Sequence, residues 1–329
     1  MLRTKDVDMG IMAPIARFIL KEHTRKPIVG RAAFIGRQTI PLTEQQAIKL
    51  IRSEGVEVRN ISVKEDIDTL SGRGKKFIDE VSFFNLFTSL DITFIDVTDY
   101  EGASVVHDMC EPLPSNLKGK FDFVWNGSCL DNIFNAASAH QHSCDLLAPN
   151  GRIITMEMQN SHYNSYCAFS QGWFFDYYAI NGFSETEVYS CIFKRDRLWN
   201  GPYKVYKPGG ESSSGATFLA ASGKNPVITL AIATKGPNST TDLSPIQSQY
   251  RPNNSLYETA YKKFAPRQLL KVKSTKKVGG RVTALAGFVE VHGLRGVRGG
   301  FKIKSRIIRI LLHPYSAFEN LLARKNRYV

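Results

Sequence analysis

The chain has 329 residues, and 43% of them are apolar, so it can bury a full hydrophobic core. No stretch of about 18 apolar residues is present, which excludes a hydrophobic membrane-spanning helix, and the polar first residues argue against a secretory signal. The 5 cysteines are odd in number and show no CxxC spacing, so we expect free thiols in a reducing compartment and no metal site.

The net charge of +13 is concentrated in one part of the chain. Residues 251–329 hold 18 Lys and Arg against 3 Asp and Glu, whereas the first 250 residues are close to neutral. A near-neutral domain followed by a basic extension predicts an anionic partner for the extension alone.

The first predicted unit is a strand, a loop and a helix. Residues 31–36 form a short apolar run that ends at a glycine, and a helix is predicted over 43–52. Thr43 is a suitable N-cap for this helix, and Gly55 closes it. This order is the first unit of a nucleotide-binding half.

Further elements alternate along the chain in the manner of an α/β protein. Helices are predicted over 77–87, 132–147 and 169–180, and strands over 92–96, 103–108, 121–126, 152–155, 184–193 and 227–234. The predicted fold is α/β, a doubly wound and mostly parallel sheet with an antiparallel edge hairpin formed by the last two strands, plus a basic C-terminal extension. The predicted division is an N-terminal extension 1–25, a Rossmann-like domain 26–236, a linker 237–254 and the extension 255–329.

Three of these strands end on residues suited to a nucleoside. Asp96 is placed to accept from both ribose hydroxyls, and Asp108 from the adenine amine. Asn126 and Gly127 end the next strand and could line the reacting side of the pocket. Gly36 allows close approach of the backbone, and the helix that follows offers its N-terminal amides. Each aspartate alone is also a common turn residue.

The order and spacing of these segments resemble the class I S-adenosylmethionine-dependent methyltransferases over residues 26–235. The resemblance is carried by segments 96–108, 121–135 and 146–154, while 166–183 is similar to methyltransferase-like proteins of bacterial cell-surface and glycan gene clusters. It implies S-adenosylmethionine as cofactor. It implies a small-molecule, sugar or glycolipid acceptor, and cofactor binding by these residues: Gly36, Arg37, Gln38, Asp96, Asp108, Asn126 and Gly127.

The sequence departs from that family at two places. Its glycine loop is reduced to residues 35–38, where Arg37 could contact the cofactor carboxylate or repel the sulfonium. At Asp131-Asn132, relatives often carry Glu-His. A catalytically inactive binding module is therefore one alternative to the enzyme, and an RNA methyltransferase that uses the basic tail is another.

The catalytic candidates are His162 and Tyr163, because they follow the fifth strand and so lie at the correct edge; a structural role is the alternative. His140 and His142 are predicted at the surface of a helix. The aromatic residues of 173–178 are interpreted as core packing rather than as an acceptor platform.

The basic extension contains an amphipathic pattern. Lys302, Arg306 and Arg309 recur at helical spacing over residues 301–312. Residues 301–327 could bind an anionic membrane surface, pack as an ordinary terminal helix on their own domain, or bind nucleic acid, which is less favoured because aromatic platforms are missing. A cytoplasmic protein, peripheral at the inner membrane face if the tail binds lipid, is expected.

Overall fold

The computed structural model describes residues 10–160, 165–193 and 225–247, together with the backbone of two further strands at 203–206 and 288–291. The helices are α1 (Ala13–Arg25), α2 (Glu44–Ser53), α3 (Glu80–Asn85), α4 (Ala136–Asp145) and α5 (Gln171–Ile180), with a short 3-10 helix at Leu130–Asn132. The strands are β1 (Gly30–Ile35), β2 (Leu90–Asp96), β3 (Val105–Val106), β4 (Phe121–Gly127), β5 (Leu147–Met158), β6 (Ser184–Phe193), β7 (Tyr203–Tyr206), β8 (Val227–Thr234) and β9 (Phe288–Val291).

The strands form one sheet in the order β3-β2-β1-β4-β5-β8-β6-β7-β9. Pairing is parallel from β3 to β5 and antiparallel at every step from β5 to β9. The predicted α/β fold with a doubly wound, mostly parallel sheet is confirmed. β6 and β8 pair antiparallel as predicted, although β7 and β9 lie outside them.

Alternation along the strands sends side chains into two separate cores. On β4, Phe123 and Trp125 face the core packed by α1, α2 and α3, whereas Val124 faces the core packed by α4 and α5. A parallel strand buried on both faces reads as a continuous apolar run, and the run at 121–125 follows from this layering. Among the described residues, no helix is long and apolar enough to cross a membrane.

The helix boundaries differ from the prediction where side chains cap the backbone. The predicted helix 77–87 begins only at Glu80, because the Asp79 carboxylate accepts from the amide of Ser82. The predicted helix 132–147 begins at Ala136, where the Asn135 side chain plays the same part. Residues 1–25, predicted as an extension, include α1, whose apolar face lies in the core.

Candidate functional site

The parallel half of the sheet reverses its order between β1 and β4. Chain connections leave β1 toward β2 and β3 on one side and reach β4 and β5 on the other. In open α/β sheets, ligands bind in the crevice beyond the carboxyl ends of the strands at such a reversal. The residues that follow Ile35 and Asn126, which are partners in register, therefore mark the candidate site.

Gly36 lies at the centre of this edge. Its φ of +69° belongs to the left-handed region, and its amide donates to the carbonyl of Ile95 over 2.9 Å. A Cβ at this position would lie 2.9 Å from the Cys129 Sγ and 3.7 Å from the Asp96 Oδ2. The structure thus brings Gly36 and Asp96 together, as the sequence predicted, and adds Cys129, which the sequence did not single out.

Gln38 and Gly127 meet on the same edge. A Cβ on Gly127 would lie 2.8 Å from both the Gln38 Oε1 and the Trp125 Nε1, so a larger residue there would displace one of these side chains. Both polar atoms are buried and have no hydrogen-bond partner among the described residues. Buried polar atoms of this kind normally meet water or a ligand.

Asn126 is fully buried at the end of β4 and supports the turn that follows. Its Oδ1 accepts from the amide of Cys129 over 3.4 Å, while its Nδ2 has no partner within the described part of the chain. Asn126, which was predicted to line the reacting side of the pocket, therefore also stabilises the turn after β4. Its role in the pocket stays a prediction.

The guanidinium of Arg37 is held by its own chain. It lies over the ring of Phe94 at 4.1 Å, 3.2 Å from the Asp68 carboxylate, and its Nη1 donates to the carbonyl of Glu101 over 3.4 Å. A cofactor carboxylate would have to compete with Asp68 for this group. The binding role predicted for Arg37 remains a prediction.

Glu80 is a buried carboxyl beside this arginine and was not found by sequence reasoning. Its Oε2 accepts from the amide of Gln38 over 3.1 Å and lies 3.7 Å from the Arg37 Nε. Burial raises the pKa of Glu80 to about 8, and Arg37 lowers it only in part. In the sequence, Asp79-Glu80 indicates no more than the first turn of a helix.

Asp108 and the histidine candidates are placed less favourably. Asp108 is exposed two residues beyond β3, and its Oδ1 accepts from the amide of Cys110 over 2.8 Å, as in an ordinary turn. Its predicted contact with adenine stays a prediction. His162 and Tyr163 lie outside the described residues.

The surface positions predicted for His140 and His142 are wrong. His140 is fully buried, with its ring centroid 4.9 to 5.3 Å from those of four aromatic residues of α5, and burial lowers its pKa to about 3. His142 is buried and its Nδ1 lies 2.8 Å from the Met109 carbonyl oxygen. The interpretation of residues 173–178 as core is confirmed, because Phe174 and Tyr178 are fully buried.

Two of the backbone amides at the start of α2 are satisfied by side chains of the same turn. Thr43 and Gln46 form a reciprocal capping box at the start of α2. This end of the helix lines a groove of about 400 Å³ together with residues 63–65 and 76–78, and neither Gly36 nor Asp96 borders that groove. The contribution of the α2 amides to cofactor binding stays a prediction.

Glu157 organises the turn after β4. Its two carboxylate oxygens accept from the amides of Leu130 and Asp131 over 3.1 and 3.2 Å. Burial raises the pKa of Glu157 well above its usual value, and the neighbouring Asp131 raises it further. The sequence could not reveal this contact, because 26 positions separate Glu157 from Asp131.

No protein-family model matches the sequence, and no curated protein matches it either. Among solved structures, the chain is similar to the 1,6-didemethyltoxoflavin-N1-methyltransferase of Burkholderia thailandensis, at 13% identity and a TM-score of 0.36 over 70% of this chain and 80% of that one. It is also similar to the phosphoethanolamine N-methyltransferase 2 of Haemonchus contortus, at 12% identity and a TM-score of 0.36 over 67% of this chain.

The match spans about half (52%) of the Haemonchus chain. A putative zinc-dependent alcohol dehydrogenase of Rhodobacter sphaeroides matches as well, at 16% identity and a TM-score of 0.24 over 43% of this chain and 46% of that one. The sequence identities and TM-scores of these three matches are too low to support an inference about activity. What identifies the chain is its own strand order: it is an α/β protein with a doubly wound sheet and a candidate ligand crevice at the carboxyl ends of β1, β2 and β4.

Proposed function

We propose that the chain binds S-adenosylmethionine at the edge formed by Gly36 and Asp96 and transfers its methyl group to an acceptor. The observation that carries this proposal is that a left-handed glycine at the end of β1 lies beside a carboxylate at the end of β2, which a Cβ on Gly36 would approach to 3.7 Å. Because glycine has no side chain, the protein backbone can approach the ligand closely at this position. A carboxylate can accept hydrogen bonds from both hydroxyls of a ribose. The motifs that resemble class I methyltransferases support the choice of this nucleoside.

The residues present fit an adenosine group at this point. The Oδ1 of Asp96 accepts from the amide of Val97, and its Oδ2 faces the space above Gly36. The unpaired Gln38 Oε1 and Trp125 Nε1 offer one acceptor and one donor nearby. When bound, the sulfonium cofactor supplies an activated methyl group, and the chain's own task is to orient it and to exclude water.

A second candidate function is binding without turnover. The observation in its favour is the ion pair between Arg37 and Asp68. Arg37 places a cation at the position where class I methyltransferases have a glycine-rich loop. A cation there would oppose a sulfonium, whereas it would suit a neutral or anionic nucleoside. Turnover with any acceptor excludes this alternative.

Calorimetry on the full chain with S-adenosylhomocysteine tests the proposal. We expect Asp96→Asn to weaken binding about 10- to 100-fold, because hydrogen bonds to a charged group contribute about 1.5–3 kcal/mol. Asp91→Asn is the matched control, since Asp91 is exposed at the opposite end of the same strand. Binding that is absent at millimolar ligand, or equal in the two variants, would contradict the proposal.

For the acceptor, we propose a sugar, a glycolipid or another small molecule, and RNA as the alternative that would use the basic tail. The tail, which lies outside the described residues, is proposed to bind an anionic membrane surface through residues 301–327. The full chain should then float with vesicles that contain phosphatidylserine, and a variant without residues 300–329 should not. Flotation that does not change on truncation contradicts the role of the tail.

A further inference from the structure

An exposed pair of aromatic residues flanks the candidate site. Phe134 is 85% exposed and Tyr166 is 67% exposed, and their rings meet edge to face at 5.7 Å. Large apolar side chains grouped at the surface commonly mark a binding site, whereas single ones need no explanation. Phe134 and Tyr166 are termed the aromatic pair.

The aromatic pair is anchored to the carboxyl edge of the sheet. Phe134 follows the 3-10 helix that begins at Leu130, and the amide of Tyr166 donates to the carbonyl of Asp131 over 2.7 Å. The same turn places Cys129 against Gly36. The pair and the proposed nucleoside site therefore belong to segments that follow neighbouring strands.

The segment that follows β2 at this edge is acidic. Residues 96–111, between β2 and the segment after β3, contain 5 Asp and Glu and no Lys or Arg. Of the arginines in the nearby loops, Arg37 pairs with the Asp68 carboxylate, while Arg73 donates to the main-chain carbonyl of Asp68. The opposite edge of the sheet carries exposed residues of both signs, Arg31 and Lys120 beside Asp91 and Asp122. A cation is thus attracted to the edge that holds the aromatic pair, and a polyanion is repelled from it.

We propose that the aromatic pair receives a cationic acceptor, an amine with an apolar portion. The apolar portion packs on the rings of Phe134 and Tyr166, and the ammonium group is attracted both by the ring faces and by the acidic edge. This proposal rests on the proposed function, since it names the acceptor class of that site. It also places RNA and phosphorylated acceptors away from this edge.

Ligand-observed NMR titration of the full chain tests the acceptor class with two series of related compounds, each containing a cation, a neutral molecule and an anion. The probes are 2-phenylethylamine, 2-phenylethanol and 3-phenylpropanoate, and then glucosamine, glucose and gluconate. We expect the amine to bind at least about 10-fold more tightly than the alcohol in at least one series, the carboxylate to bind weakest, and the preference to shrink as salt screens the edge. Equal or tighter binding of the neutral or anionic members overturns the proposal, and so does an absence of amine binding at millimolar concentration in both series.

Variants of the pair locate the amine. Phe134→Leu and Tyr166→Leu keep an apolar side chain but remove the ring, so amine affinity should fall about three- to fivefold. The matched control is Tyr100→Leu: Tyr100 is 60% exposed at the same edge, but Arg73 already lies over its ring at 5.3 Å. The proposal fails if the control lowers amine affinity as much as the pair variants do, or if the pair variants leave it unchanged.

Titrations with and without S-adenosylhomocysteine separate the two proposals. If the cofactor product binds and no charge preference appears, the cationic acceptor is wrong and methyl transfer stands. If the amine binds through the aromatic pair but S-adenosylhomocysteine does not bind, the aromatic pair is an amine-binding site and the proposed methyl transfer is wrong. Neither result is masked by misfolding, because Phe134 and Tyr166 are exposed.

Discussion

Replacing Arg152 by leucine is expected to lower the free energy of unfolding by about 1.5–3 kcal/mol, because it removes one of the two arginines that pair with a buried carboxylate and leaves only Arg25. Glu22 on α1 is fully buried, and its Oε2 lies 3.2 Å from the Nη1 of Arg152 on β5. Arg152 also donates to the carbonyl of Lys26 over 2.8 Å. Urea unfolding followed by circular dichroism measures the loss.

The double variant Glu22→Leu/Arg152→Leu separates charge from packing. It should recover much of the loss, since replacing a buried ion pair by apolar residues of similar size is often neutral. The surface control is Lys26→Met, which removes the 3.4 Å pair with Glu185 and should cost less than about 1 kcal/mol. A double variant as unstable as Arg152→Leu, or a control as costly, would show that packing rather than charge dominates.

The second large effect is expected at Gly36. Gly36→Ala should reduce the affinity for S-adenosylhomocysteine at least about 10-fold, because the new methyl group would lie 2.9 Å from the Cys129 Sγ and 3.7 Å from the Asp96 Oδ2. The approach to the thiol is too close, so the thiol or the backbone must shift, and the methyl group would occupy the space beside the carboxylate. Calorimetry on the full chain measures the affinity, and urea unfolding measures the accompanying stability.

Gly55→Ala is the matched control for Gly36→Ala. Gly55 has a similar φ of +77°, but a Cβ there meets nothing within 4 Å. Both variants should lose about 1 kcal/mol of stability through the left-handed backbone, and only Gly36→Ala should lose affinity. Equal affinities in the two variants would remove Gly36 from the binding site.

The local sequence pattern predicted the strands and the helix cap near the site better than it predicted the contacts around them. The apolar runs that end at Ile35, Asp96 and Gly127 are strands because their alternate residues fill both cores. Thr43 caps α2 as its sequence indicates, through hydrogen bonds within four residues. Such features depend on neighbours in the chain, so they can be read directly.

Contacts between distant segments could not be read in the same way. Arg37 pairs with Asp68, which is 31 positions away, and no local pattern indicated this contact. The burial of His140 depends on the packing of α4 against α5, because the aromatic face of α5 surrounds the imidazole. Helical periodicity alone did not reveal that this side of α4 is covered.

The sequence by itself determined the α/β architecture and the pairing of a glycine with an acid at neighbouring strand ends, because strand periodicity and turn chemistry are local properties. Only the tertiary structure decided which polar groups are free to meet a ligand. The unpaired Gln38 Oε1 and Trp125 Nε1, and the aromatic pair of Phe134 and Tyr166, emerge from that structure. Burial and pairing depend on residues far apart in the chain, and their free energies are set by the assembled surroundings.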